Sequence, residues 1–370
     1  MKRRLRCLTA LLITAMTLLL LPRVLSAPTQ RQLPGKANSE RTLLRIWITS
    51  SVGGGEAWLR QQVKRFEQAQ PGVQTYIRTV SPDECLRDDA VLPDLVLYLP
   101  GDFTAPEAVF APLSGVTGAQ EALLRAGRWR GSQYGLPLCY AAYALAIDGA
   151  LEPDSAATPA PTTLLGVPAA TDPPETDQPR GYPLEAASAA DVALQAPEGC
   201  GLFTLAALLP AGARPPLPED FGTLSAAQVF AAFKARRCTT ALLTTGQLTA
   251  LAAQASAGGG FPFRVIAPEE IITDQVWLGS VLPNANDAAA ALLSWLITAD
   301  AQRALRDQGL YAVRDDLRLY AAGHEASIER AAARSLVAVN AYLPRTDVAA
   351  RARQVFQGTV RVNEALPPLL

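Results

Sequence analysis

Histidine and cysteine, the residues that most often bind transition metals, are scarce in this sequence. The 370 residues include one histidine, His324, and five cysteines, with no Cys-x-x-Cys pair. A zinc site needs three or four such ligands at short spacing, so no metal site and no cofactor are predicted. His324 stands in "AAGHEAS", far from other candidate groups, and we interpret it as a surface residue at the start of a helix.

Excess charge of either sign is also lacking. The formal net charge is -1 at pH 7, which argues against a nucleic-acid partner and against a polybasic membrane surface. Nearly half of the residues (49%) are apolar, enough for two domains or one large α/β unit with two cores. The composition therefore favours a neutral or small partner.

The N-terminus has the features of an export signal. The basic start "MKRRLR" precedes a short apolar block that ends at Pro22, as in a secretory leader. We predict that residues 1-26 are a signal peptide and that 27-41 form a tether, which places the chain in the periplasm or on the extracellular face of the membrane. An uncleaved N-terminal anchor is the alternative.

Four cysteines follow the leader, and all four are far apart in the sequence. A chain of this length does not need a disulfide, so we interpret them as small buried side chains. A bridge between Cys200 and Cys238 is the alternative in an oxidising compartment. The four are Cys85, Cys139, Cys200 and Cys238.

A glycine-rich break follows the first apolar run, in "RIWITSSVGGGEAWLRQQV". A phosphate-binding P-loop needs Lys and then Ser or Thr after its last glycine, whereas Glu56, Ala57 and Trp58 follow here. The G-x-G-x-x-G spacing of a dinucleotide site is absent too. The break is therefore a plain turn, or a turn that brings backbone close to a ligand.

The order of the remaining patterns indicates an α/β protein. Apolar runs at Thr42–Ile48, Val73–Val80 and Leu92–Leu99 predict strands, and an amphipathic segment between the first two predicts a helix. Residues 153-218 are rich in Pro, Ala and Thr and are expected to be irregular. After them Ser225 and Gln228 form a capping-box pattern, and strands and helices continue to the end.

Several stretches resemble the extracellular solute-binding proteins of ABC importers, in particular the group-1, maltose-binding-protein-like type. The strand, polar turn and "FEQAQPGV" ending resemble the family's start, and "LPDLVLYLPGDF" resembles its next strand and loop. "YGLPLCYAAYALAID" is similar to its first crossing between lobes. "AAALLSWLITADAQRALRDQGLYAVRDD" is similar to its late paired helices.

The resemblance implies a two-lobed α/β periplasmic-binding-protein-like fold with a cleft between the lobes and an atypical second lobe. The first lobe is expected to contain residues 42-140 and 271-310, and the second 141-270 and 311-370. In such folds the ligand lies at the carboxyl ends of the strands and the lobes close on it.

The expected ligand-binding residues lie at those strand ends and crossings. Hydroxyl and carboxylate groups would bond a polar solute, and tyrosine or tryptophan faces would pack on a sugar. Leu248 stands where the family often has a stacking tryptophan. The predicted site comprises Thr49, Ser50, Ser51, Glu56, Tyr98, Asp102, Tyr140, Tyr143, Thr245, Gln247 and Trp277.

The sequence therefore predicts a binding protein that captures a small polar ligand for an ABC permease, and a carbohydrate is favoured over an amino acid or a metal. The protein is expected to be a monomer that does not bind nucleic acid. It has no G-x-S-x-G elbow and no acidic metal motif, so an enzyme is not expected. A glycosidase with two carboxylates stays open as an alternative. So does a degenerate binding-protein fold that acts as a surface interaction module.

Overall fold

The computed structural model describes residues 41-86, 92-115, 117-149, 194-195, 200-208 and 224-366. The predicted signal peptide (1-26), almost all of the tether (27-41) and most of the 153-218 segment lie outside these ranges. Within them, no helix is both long enough and apolar enough to cross a bilayer.

Thirteen strands occur in the described ranges. Their bounds are β1 Thr42–Ile48, β2 Val73–Thr79, β3 Leu95–Tyr98, β4 Arg128–Trp129, β5 Ser132–Gln133, β6 Leu136–Tyr140, β7 Tyr143–Asp148, β8 Leu194–Gln195, β9 Thr240–Thr244, β10 Phe263–Ile266, β11 Ile271–Thr273, β12 Val276–Val281 and β13 Leu336–Ala338.

Ten α-helices and three short 3-10 helices complete the described elements. The 3-10 helices are Pro82–Leu86, Pro106–Ala108 and Ala304–Gln308. The α-helices are α1 Gly55–Ala69, α2 Glu121–Ala126, α3 Gly201–Leu208, α4 Ala226–Lys234, α5 Thr245–Ser256, α6 Asp287–Leu296, α7 Ala299–Arg303, α8 Gly323–Arg334, α9 Arg345–Phe356 and α10 Val362–Ala365.

The first large sheet has the strand order β2-β1-β3-β12-β6. Strand β1 is parallel to β2 and β3, and β12 is antiparallel to β3 and β6. Leu44, Ile46 and Ile48 of β1 are fully buried in one core with the apolar face of α1, which includes Trp58 and Phe66. The predicted alternation of strand, helix and strand at the start of the fold is confirmed.

The second large sheet has the order β10-β7-β9-β8. Alternate residues of β7 enter different cores: Tyr143 and Leu145 pack with α3 and α9, whereas Ala144 and Ala146 pack with α4. Because both faces of this sheet are covered, its strands are nearly continuously apolar. The capping box of Ser225 and Gln228 is present at the start of α4.

The expectation that residues 153-218 are irregular is wrong at α3. This helix buries six of its eight residues, among them Phe203. A helix that is apolar on every side has no amphipathic period, so the sequence pattern that identifies surface helices does not identify it.

Two segments pack with elements of the other predicted lobe. Strand β11, expected in the first lobe, pairs with β13, and Thr204 Oγ1 of α3 donates to its Ile272 carbonyl at 3.4 Å. Conversely, Ala312 and Leu319, expected in the second lobe, are buried in the core of the first sheet. The apolar run from Ile271 to Leu282 forms two strands, because it is divided at Asp274 and Gln275, where the chain passes from one sheet to another.

Candidate functional site

A cavity of about 400 Å³ lies where loops of the first sheet meet helix starts packed on the second. The loops after β1 and β3 contribute one side, and the starts of α4, α5 and α9 contribute another. Both polar and apolar side chains line it. The lining residues are Ser51, Gly53, Leu99, Pro100, Tyr143, Ser225, Ala226, Ala227, Thr244, Gln247, Asp274, Gln275, Val339, Leu343, Arg345 and Val348.

The three glycines after β1 have different roles. Gly54 has φ +85°, which favours glycine, and a Cβ atom there would lie 3.0 Å from Gln308 Cβ. A Cβ at Gly55 would lie 3.0 Å from the Trp277 ring. Gly53 alone lines the cavity, and a Cβ there would meet no atom within 4 Å. Gly54 and Gly55 therefore allow close packing within the protein, and Gly53 is the one that faces the cavity.

Thr49, Ser50 and Asp102 do come together, but they bond one another. Thr49 Oγ1 donates to Asp102 Oδ2 at 2.8 Å, and Ser50 Oγ donates to the same oxygen. The Asp102 side chain is only 4% exposed. None of the three lines the cavity, so the structure does not support the prediction that they contact a solute. Thr49 and Ser50 bond Asp102, and Asp102 also pairs with Arg345 of α9.

Ser51 and Glu56 form an internal hydrogen-bonded pair next to this group of three residues. Ser51 Oγ donates to Glu56 Oε1 at 3.2 Å, and Glu56 lies 3.9 Å from Arg60 on the surface of α1. Ser51 lines the cavity and Glu56 does not. Ser51 is therefore the predicted site residue of this turn that lines the cavity.

Tyr98 was expected to be an aromatic platform, and this expectation is wrong. Its side chain is fully buried, its ring stacks on Phe110 at 5.3 Å between centroids, and its hydroxyl lies 2.8 Å from Ser280 Oγ and 2.9 Å from Tyr342 Oη. The ring points into the core beside the sheet, where aromatic partners remove it from water.

Tyr140 and Trp277 are buried too, and neither lines the cavity. Tyr140 packs against Tyr311 with 5.2 Å between ring centroids, and the two residues exchange backbone hydrogen bonds. Trp277 is fully buried beneath α1, and its Nε1 donates to the Ser50 carbonyl at 2.8 Å. Each side chain therefore lies on the core side of its strand. Tyr140 holds the segment at Tyr311, and Trp277 holds the turn at Ser50.

Tyr143 is the one predicted aromatic residue that reaches the cavity. It is nonetheless largely buried, and its hydroxyl donates to Asp274 Oδ1 at 3.0 Å. The other Asp274 oxygen accepts from the Cys200 backbone N–H at 3.0 Å. Burial, and then the charge of Asp274, raise the pKa of Tyr143 well above its usual range. This pair joins β7, α3 and the crossing at Asp274.

Thr244 ends β9 and is the N-cap of α5, which begins at Thr245. Thr244 Oγ1 accepts from the Gln247 N–H at 3.4 Å, and Gln247 Oε1 accepts from the Thr244 N–H at 2.9 Å. Thr245 is fully buried and bonds Ala142. Gln247 lines the cavity and Thr245 does not. Leu248, in place of the family's tryptophan, is in the core.

The sequence predicts only Ser51, Tyr143 and Gln247 among the lining residues, and the charged or amide residues that it does not predict are Asp274, Gln275 and Arg345. Asp274 and Gln275 form the break between β11 and β12, and two adjacent polar residues in an apolar run are a signal that could have identified them. Arg345 follows Pro344 at the start of α9. Its Nη2 donates to Asp102 Oδ1 at 2.5 Å across 243 residues, a contact that no local pattern indicates.

The described cysteines and the single histidine are buried. The four described cysteines are free and buried, as predicted, and burial raises the pKa of Cys85 to about 12. His324 is not a surface residue: its side chain is 8% exposed, and neither ring nitrogen has a hydrogen-bond partner. In the described ranges, no three His, Cys, Asp or Glu side chains are grouped to hold a metal.

The fold is that of the periplasmic sugar-binding proteins. No family model matches the sequence, and no curated protein matches it. Solved structures match over most of the chain at low identity, which shows the fold alone.

Three of these structures illustrate the similarity. The GacH receptor of Streptomyces glaucescens, solved unliganded and with acarbose, is 14% identical with a TM-score of 0.59, covering 89% of this chain and 96% of its own. CpMnBP1 with mannobiose is 15% identical with a TM-score of 0.55, covering 89% and 98%. The maltose/maltodextrin-binding domain MalE from Bdellovibrio bacteriovorus, bound to maltotriose, is 14% identical with a TM-score of 0.52, covering 89% and 97%.

Proposed function

We propose that this protein is an exported solute-binding protein that captures a small polar ligand, a carbohydrate, for delivery to an ABC permease. The observation that carries the proposal is the cavity of about 400 Å³, which is lined from both sheets by polar and apolar groups. Its size is in the range of small-molecule sites. The similar structures solved with acarbose, mannobiose and maltotriose support a sugar as the ligand.

The groups proposed to contact the ligand are fewer than the sequence suggested. Ser51 and Gln275 offer a hydroxyl and an amide group, and Leu99 with Val339 offers apolar surface. The side chains of Thr244 and Gln247 also line the cavity but bond the backbone at the starts of α4 and α5. The N-terminal leader supports export, and the near-neutral charge supports a neutral ligand. We propose that the protein acts as a monomer.

A binding role is favoured over glycoside hydrolysis by the carboxylates at the cavity. Hydrolysis uses two of them, one on each side of the bond that is cleaved. Among the described lining residues Asp274 is the single carboxylate, and both of its oxygens accept hydrogen bonds from the protein. We propose that a bound sugar is released unchanged.

A second candidate function is a surface interaction module that has kept the fold and lost the solute. The observation that favours it is the internal pairing of Thr49, Ser50 and Asp102, together with the absence of an exposed aromatic face among the described lining residues. Sugar sites normally present such faces to the ligand.

A thermal-shift screen against mono- and disaccharides, polyamines, peptides and oxyanions, followed by calorimetry, separates the candidates. A ligand at about 100 times its dissociation constant stabilises the native state by about 2.7 kcal/mol. A sugar that raises the melting temperature, binds one-to-one and is recovered intact supports transport. If the protein melts cooperatively but no sugar changes its melting temperature, the interaction module is favoured. Chemical conversion of a sugar by the purified protein would favour an enzyme.

A further inference from the structure

Two short links of the chain lie side by side where it passes between sheets. Residues 141-142 join β6 of the first sheet to β7 of the second, and residues 274-275 join β11 to β12. Strands β12 and β6 are antiparallel neighbours. Their register at the start of β12, continued by one residue, would place Gln275 opposite Ala141.

Gln275 and Ala141 are paired, but one of their two bonds is relayed by Thr273. In a hydrogen-bonded antiparallel pair the two residues exchange both N–H···O bonds. Here the Ala141 N–H donates to the Gln275 carbonyl at 2.8 Å. The return bond passes through a hydroxyl: the Gln275 N–H donates to Thr273 Oγ1 at 2.9 Å, and Thr273 Oγ1 donates to the Ala141 carbonyl at 2.7 Å. The hydroxyl therefore takes the place of a direct ladder bond between the two links.

Thr273 is fully buried and does not line the cavity, whereas the residues bonded to it do. The Val339 N–H donates to the Thr273 carbonyl at 2.9 Å. Gln275 Nε2 donates to Asp274 Oδ1 at 3.0 Å, and the Tyr143 hydroxyl donates to the same oxygen. Val339 and Gln275 thus bond Thr273 directly, and Asp274 and Tyr143 are connected to it through Gln275.

We propose that Thr273 is a positioning residue of the solute site. Its hydroxyl holds Gln275, and through it Asp274, at the places where they line the cavity, and it does so without touching the solute. A hydroxyl is both a donor and an acceptor, so it can join the N–H of one link to the carbonyl of the other. The proposal rests on the proposed function, because it takes the cavity as the solute site.

The first measurement needs no solute. Selective ¹⁵N labelling of glutamine in the full chain makes the Gln275 backbone N–H observable by NMR, and its hydrogen-exchange rate reports the bond to Thr273. Gln247 is an internal reference at the same cavity, because its N–H donates to a different hydroxyl, Thr244 Oγ1, at 3.4 Å. Each signal is assigned by its loss when that glutamine is replaced by leucine.

Three variants are compared with the wild type. Thr273→Val keeps the shape and removes the hydroxyl, and Thr273→Ser keeps the hydroxyl. Thr204→Val is the matched control: Thr204 is 1% exposed, and its hydroxyl donates to the carbonyl of Ile272, the residue before Thr273, at 3.4 Å. Thr204 does not line the cavity.

In Thr273→Val the Gln275 N–H is expected to exchange about tenfold faster, because it loses its acceptor, while the Gln247 rate stays unchanged. Thr273→Ser should restore slow exchange. Thr204→Val should lower stability, since it also loses a buried hydroxyl, but should leave the Gln275 N–H bonded and its exchange slow.

Calorimetry with maltotriose as the probe connects the exchange rates to binding. Thr273→Val is expected to weaken binding about tenfold, as the loss of about one hydrogen bond to the solute implies. Thr273→Ser should restore the affinity, and Thr204→Val should leave it unchanged. Absence of binding by the wild type would count against the proposed sugar and not against Thr273, for which the exchange rates then decide.

Unchanged exchange of the Gln275 N–H in Thr273→Val would overturn the proposal. So would faster exchange with unchanged maltotriose affinity, or an equal loss of affinity in Thr204→Val, which would reduce Thr273 to one buried hydroxyl among others. If Thr273→Val does not fold, Thr273→Cys serves instead, because a thiol is only a weak donor and acceptor, and the same direction of change is expected.

Discussion

The hydroxyl oxygens of Tyr98 and Tyr342 lie 2.9 Å apart in the protein interior. Ser280 Oγ donates its proton to the Tyr134 carbonyl at 2.7 Å, so the Tyr98 hydroxyl donates to Ser280. The Tyr342 hydroxyl has two acceptors, Tyr98 Oη and the Gly127 carbonyl at 3.4 Å. This chain of hydroxyl groups ties the end of β3 to the segment before α9. It also explains why Tyr98 has no free polar group for a ligand.

Tyr98→Phe should therefore lower stability and leave ligand affinity unchanged. The substitution removes one of the two partners of each neighbouring hydroxyl, because Ser280 keeps the Tyr134 carbonyl and Tyr342 keeps the Gly127 carbonyl at 3.4 Å, and a lost hydrogen bond of this kind costs about 1 kcal/mol. Urea unfolding measures the loss, and Tyr76→Phe, at a side chain 54% exposed, is the control with no expected change. Weakened solute binding at unchanged stability would return Tyr98 to the binding site.

Alanine substitutions at Gly53 and Gly55 should have different effects on stability, because only Gly55 is packed against other side chains. Gly55→Ala brings a Cβ to 3.0 Å from both Trp277 and Val52, and overpacking of this kind costs about 1–3 kcal/mol. Gly53→Ala meets no atom within 4 Å and should change stability by less than about 0.5 kcal/mol. Equal losses in the two variants, measured by chemical unfolding, would contradict this division of roles.

Stability should fall at alkaline pH. Burial raises the pKa values of Tyr98, Tyr140, Tyr143 and Tyr311 above their ordinary value of 10. Above pH 10 the unfolded chain loses these protons and the native state keeps them, so ionisation favours unfolding. Urea midpoints between pH 8 and pH 11 should decrease most steeply above about pH 10, and a flat profile would indicate that these phenols are accessible to solvent.

Acid should destabilise the protein through His324. Burial lowers its pKa from the ordinary 6.5, and the nearby Glu325 carboxylate, 3.3 Å from Nδ1, opposes the shift only in part. Above pH 6.5 both states are neutral and the group has no effect on stability. Below it the unfolded state binds a proton first, so stability is lost as the pH falls.

His324→Leu should remove this contribution, because leucine neither titrates nor leaves buried nitrogens unpaired. The stability difference between pH 7.5 and pH 5.5 is expected to be smaller in the variant than in the wild type, as measured by unfolding at each pH. The same acid sensitivity in both proteins would show that other groups are responsible.

Local sequence patterns were sufficient for the elements that depend on neighbours along the chain. The apolar run Thr42–Ile48 is a strand, the face of Leu59, Val63 and Phe66 is buried on α1, and Ser225 caps α4. In each case the period or the capping residue is itself the physical cause of the element. The same rule applied to Thr244 and Gln247 would have identified the start of α5.

Tertiary structure alone decided which predicted site residues face the cavity. Tyr98 and Trp277 lie on strands, where a side chain can face either the core or the cavity. Both face the core, because burial of their large apolar surfaces contributes most to stability. Asp102 meets Arg345 across 243 residues. Partners so distant in sequence are chosen by how the sheets and helices pack, so the sequence determined the strands, the helix starts and the order of the fold, while the folded chain determined the lining of the cavity.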